Sequence, residues 1–184
     1  MPVWGWILIA IAAAVVVALI VWQVVTRRRT AQLRGRFGPE YEHVAGEMGS
    51  RHAAEAELSS REARRDALDV RPLAPASRAR YLEAWKGVQS RFVDDPRGAL
   101  DSAHALLQDA MGERGYPTTD FGQRAADVSV DHPRVVESYR EGYRLAHTNS
   151  GSGEEDTENL RRAMQHYRAL FDELVGDVPE HSAA

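Results

Sequence analysis

The chain has no cysteine, a single lysine, and no charged side chain before Arg27. The first absence excludes disulfides, thiol catalysis and zinc sites built on cysteine, and it is compatible with either side of a membrane. The second leaves arginine as the basic residue everywhere except Lys86; together with the abundance of alanine this points to a high-GC genome rather than to a mechanism. The third places the whole net charge of -4, from 23 Lys+Arg against 27 Asp+Glu, on the part that follows residue 26. That balance disfavours general nucleic-acid binding. The phosphate cradles G-x-x-x-x-G-K-[ST] and G-x-G-x-x-G are missing, as is the H-E-x-x-H spacing of a helical zinc protease. Ser59, Ser60 and Ser150 have neither a neighbouring base nor nucleophile-elbow glycines, so nothing supports a serine hydrolase. No run alternates apolar and polar residues as a half-buried strand would. No catalytic residue, metal ligand set or cofactor is expected.

What is present begins with one long apolar run, Trp4 to Val25, followed at once by Arg27, Arg28 and Arg29. As a helix it is about 33 Å long, enough to cross a hydrocarbon core of about 30 Å. Trp4 and Trp6 at one end and Trp22 at the other suit the two interfaces, where an indole keeps its ring among acyl chains and its N–H among headgroups. A cleavable signal peptide would need a basic n-region, a shorter apolar core and a small-residue site after it; here Ala10-Ile11-Ala12 falls in the middle of the run. The expectation is an uncleaved single transmembrane anchor in the plasma membrane. Arg27, Arg28, Arg29, Arg34 and Arg36 follow the span with no acid among them, which places the C-terminal portion in the cytoplasm and brings these arginines to the lipid headgroups.

The domain expectation is an anchor with a basic flank over 1–29, a charged helical stalk over 30–70, a proline-rich linker over 71–75, a helical bundle over 76–176 and a flexible tail over 177–184. Thr30 to Phe37 continues the span as helix until Gly38-Pro39 stops it. The stalk carries a thin apolar stripe of Tyr41, Val44, Met48, Ala56, Ala63 and Val70, with a kink or break expected at Gly46 or Gly49. It either docks lightly on the domain or pairs with a second copy, although alanine at most a/d positions disfavours a coiled coil. Ser59 with Glu62 has capping-box spacing but stands in a run too polar for it to mark a new helix.

After the linker Arg71 to Pro75, the apolar spacing predicts successive amphipathic helices. The first runs over about 76–93, with Tyr81, Leu82, Trp85, Val88 and Phe92 inward. The second is capped at Asp95-Pro96 and closed by Gly115, with Ala99, Leu100, Ala103, Leu106, Leu107, Ala110 and Met111 inward. A shorter helix over about 120–128, capped by Thr118 or Thr119, buries Phe121, Ala125 and Val128. Asp131-His132-Pro133 repeats the start signal for a helix reaching His147, with Val135, Val136, Tyr139, Tyr143 and Ala146 inward. A polar Gly/Ser loop over 148–153, with capping-box spacing at Ser152 and Glu155, leads to a last helix ending at Gly176, with Leu160, Ala163, Met164, Tyr167, Phe171 and Leu174 on one stripe. The fold class is all-α: an N-terminal transmembrane helix, a charged helical stalk, and an antiparallel bundle of four or five helices joined by short connections.

Two groups of residues stand out. Asp120, Asp127, Asp131, His132 and Arg134 form a polar patch around a helix–loop–helix join, where a carboxylate beside an imidazole suits a metal site or an acid/base pair. The simpler reading makes Asp131 a helix cap, His132 a loop residue and Asp120 a first-turn acid facing the helix dipole. His43 and Glu47 share a helical face, but two ligands without a third are a solvated face rather than a site. Tyr139, Arg140, Tyr143 and Arg144 place two Tyr-Arg pairs one turn apart, a composition enriched at protein interfaces; the plainer alternative is tyrosines in the core with arginines in solvent.

The stretches Arg36 to Tyr41, Arg71 to Pro75, Arg91 to Pro96, Glu113 to Pro117, Gln123 to Arg140 and His166 to Leu174 resemble an uncharacterised family of short membrane-anchored or secreted bacterial proteins from high-GC genomes. The resemblance covers nearly the whole of the chain beyond the span and implies an anchored helical domain. That family has no assigned activity, so no functional residue is carried over. The expected function is a membrane-anchored interaction or scaffolding module whose partners are the lipid bilayer and a protein, another copy included. The alternatives are a metal-dependent hydrolase using Asp127, Asp131 and His132, and an envelope protein facing outside.

Overall fold

The computed structural model describes residues 3–117, 120–148 and 154–176, and among these there are eight α-helices and no strand. Thr118 and Thr119, the loop residues 149–153 and the tail 177–184 lie outside the described residues. Helix α1 (Val3–Phe37) is continuous from the apolar run through the arginines. Its residues 11–37 make it long and apolar enough to cross a membrane, and residues 11–25 are all exposed. Trp4 and Trp22 are both exposed.

Gly38 ends α1 at φ 50°, a backbone that L side chains rarely adopt, and Pro39 opens α2 (Pro39–Met48) at its first turn. Gly49 closes α2 in the left-handed region, and Ser50 starts α3 (Arg51–Asp66) by accepting from the Ala53 N–H. The segment expected as a stalk is therefore a two-helix hairpin. Its apolar residues are consumed inside the chain: Leu33 and Phe37 of α1, Tyr41 and Val44 of α2, and Ala54 and Leu58 of α3 form a buried cluster. The inward face of α3 is not the one the alanines suggested. Ala56 and Ala63 are exposed, while Ala54, Leu58 and Arg61 point inward, because Arg61 can be buried only where a carboxylate waits for it. Met48, the last residue of α2, is also exposed.

The linker has no regular structure up to Ala74 and is tied down by the Arg71 N–H donating to the Arg114 carbonyl at 2.8 Å. Gly115 makes that approach possible: at φ 100°, a Cβ there would sit 2.3 Å from the Asp69 carbonyl oxygen. The bundle consists of α4 (Pro75–Arg91), α5 (Pro96–Arg114), α6 (Phe121–Asp131), α7 (Val136–His147) and α8 (Glu154–Gly176). Its core is built from the predicted faces, with Trp85 of α4 stacked on Phe171 of α8 at 4.3 Å. Leu82 departs from expectation and is exposed, whereas Leu145, Leu170 and Val175 join the core. Arg78 and Arg114 donate to the Val175 and Leu174 carbonyls at 2.8 and 2.7 Å, placing cations on the C-terminal end of α8.

Helix α6 is buried on nearly every side, from Arg124 to Val130. Ala125 and Val128 belong to the bundle core, while Val130 belongs to the cluster formed by α1 and the hairpin. The two cores therefore meet at α6. The end of the apolar helix is packed into the same body as the bundle rather than separated from it by a stalk.

Candidate functional site

Around α6 the polar residues are arranged by what they must neutralise. Asp120 is the α6 cap, accepting from the Gln123 N–H at 3.1 Å, the role expected of Thr118 or Thr119. Asp127 is buried, accepts from the Gln123 side-chain amide at 2.8 Å and faces the Arg64 guanidinium at 3.6 Å. Asp131 does not start the next helix. It remains the last residue of α6, with both carboxylate oxygens 2.8 Å from Arg65 Nε and the Tyr116 hydroxyl donating to Oδ2 at 2.6 Å. A carboxylate held this way is not free to cap, so residues 133–135 form a turn and α7 begins at Val136 without a side-chain cap. The bond to Asp131 raises the Arg65 pKa, and burial followed by the same carboxylate pushes the Tyr116 hydroxyl well above its ordinary value.

The three members proposed for metal or acid/base work thus have separate commitments. Asp127 and Asp131 face different arginines of α3, and His132, 4% exposed, has Nδ1 3.5 Å from Glu173 of α8. Among the described residues no three His, Asp or Glu side chains converge as a metal site would require.

The two Tyr-Arg pairs of α7 are also divided by the fold. Tyr139 is fully buried and its hydroxyl accepts from Arg124 at 3.2 Å. Tyr143 is half-buried, stacked on Phe121 at 3.8 Å and against His147 at 3.9 Å. Arg140 turns away from solvent to Glu40 of α2, with Nη1 to Oε2 and Nη2 to Oε1 both at 2.7 Å. Only Arg144 is exposed, paired with Glu141 on its own helix. The quartet therefore does not present a single surface.

Glu40 is a residue that sequence reasoning passed over. Its side chain is 1% exposed and binds Arg140 of α7 and Arg61 of α3 together, with Arg61 Nη1 also 2.7 Å from Oε1. Arg61 further reaches Glu57 at 2.9 Å and Ser129 of α6 at 3.3 Å. Burial alone would lower the Arg140 pKa, but the hydrogen bonds and charge of Glu40 together with those of Glu137 outweigh it and raise the pKa. This one carboxylate joins α2, α3 and α7 beside α6. The available signal was one of two acids, Glu40 and Glu42, in the first turn of a helix that starts at a proline, which the helix dipole alone would explain.

The arginines after the span divide in the same way. Arg34 pairs with Glu42 at 3.4 Å and lies over the Tyr41 ring, and Arg36 pairs with Glu62 at 3.1 Å. Arg29 donates to Ser59 at 2.8 Å, while Arg27 and Arg28 are exposed. Arg34 and Arg36 thus hold the hairpin, leaving Arg27, Arg28 and Arg29 nearest the apolar run.

Where the end of α1, the α6–α7 turn and α8 meet, there is an open cleft of about 570 Å³ lined by Arg36, Pro39, Val130, His132, Arg134 and Glu173. A smaller neighbouring cavity of about 210 Å³ shares Pro39, Pro133 and Arg134 and reaches His43 and Glu137. Arg134, exposed at the boundary of the two, is the cation of the polar patch that faces this space. The walls mix both charges with proline and valine. Comparison with known proteins gave no matching family model, no matching curated protein and no matching solved structure.

Proposed function

We propose that this chain is a single-pass membrane protein that holds a helical bundle against the cytoplasmic face of the plasma membrane, where the bundle acts as a protein-interaction module. The observation that carries the proposal is the division of α1: its apolar residues 11–25 are exposed, while Leu33 and Phe37 farther along the same helix are packed inside the folded body. Apolar helix surface left unburied over such a length needs a bilayer or a partner to cover it. A helix with its far end built into the core ties that bilayer to the domain without a flexible stalk.

The arginines set the orientation, since the positive-inside rule places Arg27 to Arg29 on the cytoplasmic side. The partner surface is the cleft beside Arg36, His132 and Arg134, which exists only where α1 meets the bundle. The test is protease accessibility of the domain in intact bacterial spheroplasts expressing the full chain, with intact mass measured on the same samples. A protected, full-length chain is the expected result. Digestion of the domain would reverse the orientation and favour an envelope role, and a mass lacking the residues up to about Val25 would replace the anchor with a signal sequence.

A further inference from the structure

Helix α3 runs beside the end of α1 in the same sense. Thr30 Oγ1 donates to Glu55 at 2.6 Å, Arg29 reaches Ser59 at 2.8 Å, and farther on Arg36 reaches Glu62 at 3.1 Å. Helix α2 leads back along this pair, with Arg34 on Glu42 and Glu55 shared between Thr30 and the Tyr41 hydroxyl. The turn between α2 and α3 therefore points toward the apolar end of α1. From Glu55 to Arg51 is about 6 Å of helix, which carries the turn from the level of Thr30 back to about that of Arg27 to Arg29. Those residues follow the apolar run within about 6 Å, the depth of a headgroup layer.

We propose that this hairpin tip, Met48 to His52, is a second membrane contact that seats the domain on anionic phospholipid headgroups. The inference rests on the anchored reading above. The tip has the side chains such a surface requires: Met48 is 45% exposed, Arg51 and His52 are exposed, and Arg27 and Arg28 stand exposed at the same level. The acid beside it, Glu47, is exposed and lies 3.3 Å from His43 Nε2. An apolar side chain flanked by cations at headgroup depth matches the acyl boundary and the anionic surface together. Two contacts separated across the surface fix the tilt of the domain, which a single helix would leave free to rotate about its axis.

The absence of native cysteine makes the test direct. The full chain is reconstituted in vesicles of phosphatidylcholine and phosphatidylglycerol as three single-cysteine variants, Val16→Cys in the apolar run, Met48→Cys at the tip and Ala67→Cys just past the far end of α3, each bearing the same environment-sensitive fluorophore. Quenching by spin-labelled lipid is then measured. Strong quenching at position 16, with quenching at 48 at least about threefold that at 67, is the expected result, since residue 67 lies about 24 Å along α3 from the tip. Position 16 quenched with 48 no different from 67 overturns the tip contact and leaves the anchor standing. Position 16 unquenched overturns the anchor, and the tip contact with it. In an Arg51→Glu background, quenching at 48 should fall by about half in anionic vesicles with position 16 unchanged; an unchanged value at 48 would remove the electrostatic part of the proposal.

Discussion

Replacing Glu40 by alanine tests the joint between the hairpin and the bundle. The substitution removes three charge-assisted bonds of 2.7 Å, one to Arg61 and two to Arg140. Arg61, with a side chain 7% exposed, keeps Glu57 at 2.9 Å, and Arg140, 21% exposed, keeps Glu137 at 3.4 Å. Breaking a buried pair destabilises by about 3–5 kcal/mol because the remaining charge is stranded. The surviving partners and the partial access of Arg140 to water bring the expected loss to the lower end, about 3 kcal/mol. For a chain of this size that is a fall in Tm of roughly 6–12 °C, read by far-UV circular dichroism of the detergent-solubilised full chain. Hydrogen exchange should show α2 and α3 opening before α5 and α8, since the bundle core does not include Glu40. Replacing Glu40, Arg61 and Arg140 together by methionine should recover most of the loss, as apolar side chains of similar volume do not need each other's charge. A loss below about 1 kcal/mol for Glu40→Ala, the size expected of an exposed pair, would refute the reasoning.

Gly142 lets α7 approach α8, and a Cβ there would lie 2.9 Å from the buried Tyr167 ring and 3.0 Å from the His166 Cβ; Gly142→Val should therefore lower stability by about 1–3 kcal/mol in urea melts, despite its better retention of backbone entropy. His104 lies against Tyr139, Tyr143 and Tyr167, and burial, followed by the Arg124 charge, pushes its pKa down from 6.5 to about 4. Between these values the unfolded chain binds a proton that the fold excludes, so its contribution is full above about pH 7 and is lost as pH falls toward 4. The loss is at most about 3 kcal/mol and nearer 1–2 after solvent screening, and His104→Gln should flatten the pH dependence of Tm over that window. Asp95→Ala removes the 2.9 Å cap on the Gly98 N–H and should cost about 1 kcal/mol by thermal melting.

Local signals were legible wherever one residue and its neighbours along the chain suffice. Asp95-Pro96 opened α5, Gly115 closed it, Gly38-Pro39 broke α1 from α2, and the three- and four-residue recurrence of large apolar side chains located the inner faces of α4, α5 and α8. The same rules misread Asp131, because a cap signal says nothing of an arginine on α3 that will hold the carboxylate. They also misplaced the face of α3, where a charged residue, Arg61, occupies an inward position that hydrophobic periodicity scores as outward.

By itself the sequence determined the all-α class, the ends of α5, the break at Gly38-Pro39 and the long apolar helix at the front, because each follows from backbone preferences and the side-chain period of a helix. Only the tertiary structure decided that residues 38–66 fold back as a hairpin, that α6 is buried on both faces, and that Glu40 meets Arg61 and Arg140 across long stretches of chain. A buried charge is stable only with its partner in place, and that partner is chosen by how the helices pack rather than by spacing along any one of them.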